Sequence, residues 1–111
     1  MRVLHVVPSA PFGGAQRLVI DVAARQAETG VAARVIFTTR NPAGAERAVR
    51  AAHVAGVLYS VITGTPVRLI PNLRRELNGF APSVVHLHLP PSWLVASLPR
   101  QRSFILVTHL H

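Results

Sequence analysis

Five short apolar runs rich in β-branched residues recur along this chain, from Val3 to Val7, Arg34 to Thr38, Val57 to Ile62, Val84 to Leu89 and Phe104 to Thr108, with helix-compatible stretches between them. A run of this kind without polar alternation suits a strand covered on both faces. Strands joined through helices must run parallel, with right-handed crossovers. The pattern therefore predicts an α/β fold, a Rossmann-like, doubly wound parallel sheet of five strands. Half of the residues are apolar, which argues for a packed core over a disordered chain. A chain of 111 residues makes one domain or part of one.

The intervening segments set the helix expectations. From Ala15 to Gly30, Leu18, Val19, Val22 and Ala23 form an apolar stripe opposite Arg17, Asp21, Arg25 and Glu28, and Gly30 closes the helix. The alanine-rich stretch from Ala43 to Val54 is a second helix, ending near Gly56. Pro71 suits the first turn of a third helix that reaches Leu77 or Asn78 and is stopped by Gly79. A short helix fits between Pro90 and Pro99. The fifth apolar run is followed by only a few residues, so one face of its strand stays bare, and the expectation is an incomplete domain.

The formal net charge is +8, from 12 arginines and no lysine against Asp21, Glu28, Glu46 and Glu76. Such a surplus attracts anionic partners of several kinds. Only Arg74 and Arg75 are adjacent, and few aromatics stand near the arginines to stack bases, so nucleic acid is not expected as a partner. Arg74 and Arg75 lie on the third helix beside Leu73 and Leu77, either as a solvated face or as a peripheral contact with an anionic membrane. Without cysteine there is neither a disulfide framework nor a thiolate metal site, which fits a reducing cytoplasm. The residues before Pro8 are too few for a signal-peptide core, and no apolar run has the length of a membrane span. A cytoplasmic location is the expectation.

In open parallel sheets, ligands bind at the carboxyl ends of the strands. Here these are Pro8 to Gly14, Thr38 to Arg40, Thr63 to Pro66, Leu89 to Pro91 and His109 to His111. Gly13 and Gly14 place two residues without Cβ at the start of a helix, where unpaired N–H groups favour a phosphate. The turn is no dinucleotide fingerprint, since the spaced third glycine is missing and Thr38-Thr39-Arg40 lacks the ribose-binding acid. Nor does a Lys-Ser/Thr pair follow, as a P-loop requires. A plain tight turn is the competing reading. Two H-x-H pairs, His86 with His88 and His109 with His111, share a strand face within each pair and invite a metal reading, against which stands the lack of a nearby carboxylate. His86 alone reads as a layer histidine bonded to backbone, and mid-strand His5 as structural.

Taken together, the runs Met1 to Pro8, Gly13 to Arg17, Pro82 to His88 and Ile105 to Thr108 resemble, in this order, the N-terminal domain of family 4 retaining glycosyltransferases of the GT-B fold. The resemblance implies that residues 1–111 are an acceptor-side Rossmann-like domain, incomplete and lacking its C-terminal donor-binding domain. It implies a hexosyltransferase of polysaccharide biosynthesis, with a nucleotide-sugar donor, a glycan or glycolipid acceptor, and neither metal nor cofactor. Gly13 and Gly14 then lie against the donor diphosphate and sugar. The family's Thr-x-His pattern meets Thr108-His109-Leu110-His111, which makes His111 and His109 the catalytic candidates, His111 being favoured as further into the loop. His88 is expected to line the acceptor cleft. The isolated chain is expected to be inactive. The alternatives are a metal-dependent hydrolase domain using the two H-x-H pairs, and a noncatalytic anion-binding module.

Overall fold

The computed structural model describes residues 1–98 and 103–109. Strands β1 (Arg2–Pro8), β2 (Ala32–Thr39), β3 (Leu58–Thr63), β4 (Val84–His88) and β5 (Ile105–His109) form one parallel sheet in the order β3-β2-β1-β4-β5. The chain winds outward from β1 through β2 to β3, then returns to the other side of β1. That reversal makes β1 and β4 the switch point, where two connections leave in opposite directions and open a crevice. The expected fold class is the one observed.

Helices α1 (Gly14–Glu28) and α2 (Glu46–Val54) cover one face, and α3 (Pro66–Phe80) and α4 (Ser92–Ser97) the other; a 3-10 turn over Pro42–Ala45 leads into α2. Period-two alternation along β1 distributes its side chains between the two cores. Leu4 and Val6 join Ile36, Val85, Leu87 and the α3 leucines on one side, while Val7 joins Val19, Ile20, Val35 and Phe37 on the other. The α1 face of β4 and β5 has no described helix over it, and Ile105 and Val107 there are 68% and 40% exposed.

Three local expectations change. The buried stripe of α1 is Gln16, Val19, Ile20 and Ala23, at i, i+3, i+4 and i+7, whereas Leu18 is 45% exposed. A polar residue takes the place that hydropathy assigned to Leu18, because its amide satisfies buried backbone groups of the β1 loop. Helix α3 begins five residues before Pro71. Pro66 occupies its first turn, and Leu69, Leu73 and Leu77 dock at four-residue spacing. Pro71 and Val67, whose carbonyl loses a partner to that proline, both face solvent. Gly79 stays inside α3, and Ala81 ends it in the left-handed region at φ 50°. Tertiary contacts outweigh the glycine signal there, since the Arg2 guanidinium sits 4.4 Å over the Phe80 ring and Arg2 Nε donates to the Phe80 carbonyl. Gly30, at φ 86°, does follow the end of α1 as expected. Among the described residues no helix is long and apolar enough to cross a membrane.

Candidate functional site

The loop leaving β1 is held at both ends. Ser9 is buried; its N–H donates to the Thr38 carbonyl at 3.0 Å and its Oγ to the Gly44 carbonyl at 3.2 Å. Gln16 closes the other side. Its Oε1 accepts from the Gly13 N–H at 2.9 Å and its Nε2 donates to the Pro8 carbonyl at 2.8 Å. One side chain thereby ties the strand end to the helix start. The first N–H groups of α1, at Gly14 and Ala15, have no partner within the helix and carry the positive end of its dipole.

Neither glycine is demanded by the fold. Gly13 has φ −168°, an extended conformation open to any residue, and Gly14 is helical. A Cβ added at either would meet no atom within 4 Å. At Gly13 and Gly14 a plain turn has neither a strained φ nor a tight neighbour to call for glycine. What two glycines preserve is bare backbone at a helix start.

Two hollows flank this turn. One, of about 370 Å³, lies over the carboxyl ends of β1 and β2 and is lined by Pro8, Ser9, Thr38, Arg40, Pro91 and Trp93. Beside it Leu89 adopts φ 51°, a strained value for a bulky residue, and its N–H donates to the His109 carbonyl at 2.8 Å. The other, of about 430 Å³, lies between α1 and α2. In it the Phe12 ring stands between Arg17 and Arg47, whose guanidinium carbons are 5.0 and 5.3 Å from its centre, and Arg50 lies nearby. These arginines are scattered in the sequence, and the fold gathers them, with Asp21, into one groove in which positive charge prevails. Arg74 and Arg75, by contrast, separate. Arg74 Nη2 donates to the Ser97 carbonyl at 3.0 Å, joining α3 to α4, and Arg75 is exposed.

The histidines come together on the α1 face. His5 of β1 stands in register with His86 of β4, and His88 with His109 of β5. The His86 and His88 rings stack with centroids 3.9 Å apart, and His109 lies 5.7 and 5.9 Å from them. His5 Nε2 is 2.8 Å from Gln26 Oε1, and its Nδ1 is 3.1 Å from His88 Nε2. Gln26 Oε1 can only accept, so His5 carries its proton on Nε2 and accepts from the His88 Nε2–H at Nδ1. The acceptor-cleft role expected of His88 meets a ring that is 3% exposed and turned onto His5; direct contact with an acceptor would require it to leave the cluster. His86 shares this histidine layer, where the sequence pointed to backbone contacts. His109 ends β5 and is exposed, and His111 lies outside the described residues.

Burial holds the pKa of His5 below its usual value of 6.5, against the opposing effect of the Gln26 hydrogen bond. Below that value the unfolded chain binds a proton that the folded chain refuses. The contribution of His5 is therefore full above pH 6.5 and drains away as pH falls from there toward the depressed folded value. Thermal unfolding in chelator-treated buffer from about pH 8 to about pH 5 should show the midpoint falling faster for the wild type than for His5→Gln. Parallel curves would exclude this coupling.

A glycine turn at the carboxyl end of the first strand, on a parallel sheet wound outward from β1, defines a Rossmann-like α/β domain. The chain belongs to glycosyltransferase family 4, whose model it matches over residues 12–111. No curated protein sequence matches it. Among solved structures it is similar to the UDP-GlcNAc 2-epimerase of Neisseria meningitidis, bound to UDP-GlcNAc, at 17% identity and TM-score 0.60 over 87% of this chain and 28% of that one. It is also similar to glycinamide ribonucleotide transformylase 1 of Symbiobacterium toebii, at 13% identity and TM-score 0.58 over 97% of this chain and 50% of that one. Both are likenesses of fold. The chain spans half or less of either protein's length.

Proposed function

We propose that this domain forms the acceptor-side half of a retaining glycosyltransferase that moves a hexosyl group from a nucleotide-sugar donor to a glycan or glycolipid acceptor. The observation that carries the reading is the Gly13-Gly14 turn, where Gln16 Oε1 takes the Gly13 N–H, the N–H groups of Gly14 and Ala15 open the helix, and neither packing nor backbone conformation calls for glycine. A donor diphosphate lying there gains hydrogen bonds and the helix dipole as its leaving charge grows. In this reading no metal is needed at the phosphate, because backbone N–H groups and arginines meet that charge. His109, the last residue of β5, and His111, outside the described residues, stand as catalytic candidates. A donor-binding second domain completes the site, so the isolated chain is inactive. Membrane contact in the cytoplasm rests on exposed Arg75, with Arg74 engaged at α4.

The test is a titration of isotope-labelled chain with a panel of uridine and guanosine diphosphate sugars, followed by amide NMR. Shifts centred on Gly13, Gly14 and Ala15 are expected with at least one donor, and a panel that leaves those amides unmoved overturns the proposal. The Phe12, Arg17 and Arg47 groove favours a second reading, a noncatalytic anion-binding module. That reading predicts strongly salt-dependent shifts in the groove with simple polyanions and none with sugar nucleotides.

A further inference from the structure

Three imidazoles on one sheet face are an unusual filling for the switch point of a parallel sheet. The other residues that β1 and β4 turn to this face, Val3, Val7 and Val84, are valines, which pack with no polar atoms to satisfy. His5 and His88 are 1% and 3% exposed and His86 is half-buried. We propose that His5, His86 and His88 form a binding site for a zinc-type divalent transition-metal ion that joins β1 to β4.

Three observations carry this. One ring nitrogen from each of the three residues lies within 4.8 Å of the others. His5 Nδ1 and His88 Nε2 are 3.1 Å apart. A tetrahedral ion with metal–nitrogen bonds of 2.0–2.1 Å holds its ligand nitrogens about 3.3 to 3.4 Å apart, so side-chain rotation within the cluster suffices to seat it. His5 also has the outer partner that metal-binding histidines use, since its Nε2–H donates to Gln26 Oε1 and its Nδ1 lone pair faces the other two rings. Binding needs no net proton loss: neutral His88 moves its proton from Nε2 to Nδ1 and offers Nε2 to the ion.

The donor set also selects the ion. It is imidazole alone, with no carboxylate in the cluster among the described residues. Imidazole suits zinc, copper, nickel and cobalt, whereas magnesium and calcium require oxygen. The α1 face of β4 and β5 has no described helix over it, and half-buried His86 gives that side an entry path. A fourth coordination position opens there, for water or an anion. None of the three histidines belongs to the Gly13-Gly14 turn, so the inference is independent of donor binding.

The test uses the whole chain, freed of metal by chelation. Zinc titrated by calorimetry should bind one ion per chain, and cobalt(II) should give the intense visible bands of a tetrahedral nitrogen site. Saturating zinc should raise the thermal midpoint by at least about 5 °C, and magnesium should not. His86→Ala removes one ligand from the most accessible position and should weaken zinc binding at least about 100-fold, and Gln26→Leu about 10- to 100-fold. If His86→Ala does not fold, His86→Gln carries the same expectation. Absence of stoichiometric uptake overturns the site. So does wild-type affinity in the folded His86 variant, which assigns the ion to other histidines such as the His109 and His111 pair.

Discussion

Gly13→Val is expected to lower sugar transfer by about 10²- to 10³-fold in the enzyme that carries this domain, a loss of the size that follows when one donor to a developing oxyanion can no longer be reached. The unfolding midpoint of the domain should hardly move. The two halves of this expectation have different causes. Gly13 has extended backbone geometry and open space at its missing Cβ, so the folded domain accepts a side chain there. A diphosphate approaching the start of α1 does not, because the new methyls stand where phosphate oxygens must lie. Gly14→Ala should behave in the same direction, with a smaller loss of transfer and equal or greater stability, since alanine is the better helix former. Transfer rates, donor affinity and thermal melts on the same variants check this. A variant with normal transfer, or one that loses transfer only because it unfolds, removes the glycine turn from the donor site.

The largest effect on stability is expected at Phe37, fully buried on β2 with its ring centroid 6.4 Å from that of Tyr59 and packed beneath α1 and α2. Phe37→Ala should cost about 3 to 5 kcal/mol, the usual penalty for removing a buried aromatic ring and leaving its cavity. That is a large share of the 5–15 kcal/mol of an ordinary domain. Denaturant melts with unchanged slope and a much lower midpoint are the expected result. Leu18→Ala is the informative comparison. Hydropathy put Leu18 in the core, whereas the structure leaves it 45% exposed, so its truncation should cost under about 1 kcal/mol. Equal costs at the two positions would mean that α1 is rotated from the orientation described.

The fold was legible because its signals are redundant. Five apolar runs, each bounded by turn residues and separated by helical spacing, admit few arrangements once crossovers must be right-handed. Misplaced features were those where one residue's tertiary partner outweighs local preference. Gln16 is polar yet buried because the β1 loop supplies a donor and an acceptor for its amide. Pro71 sits inside α3 because Leu69, Leu73 and Leu77 dock as one stripe while the proline faces water. Ala81 ends α3 in place of Gly79 because Phe80 is held by Arg2.

The candidate site divides in the same way. By itself the chain determined that a glycine pair would follow the first strand at the start of a helix, and that histidines would fall at the ends of the fourth and fifth strands. Both follow from sequence order and the period of two. Only the tertiary structure decided that His5 joins His86 and His88, since that depends on β4 pairing with β1 in a register that sets His5 beside His86. It also brought Arg17 and Arg47 onto Phe12, residues separated by most of α1, β2 and the turn before α2. Strand pairing and helix docking are long-range choices. They are settled by which buried faces fit together, and no local stretch of sequence carries that information.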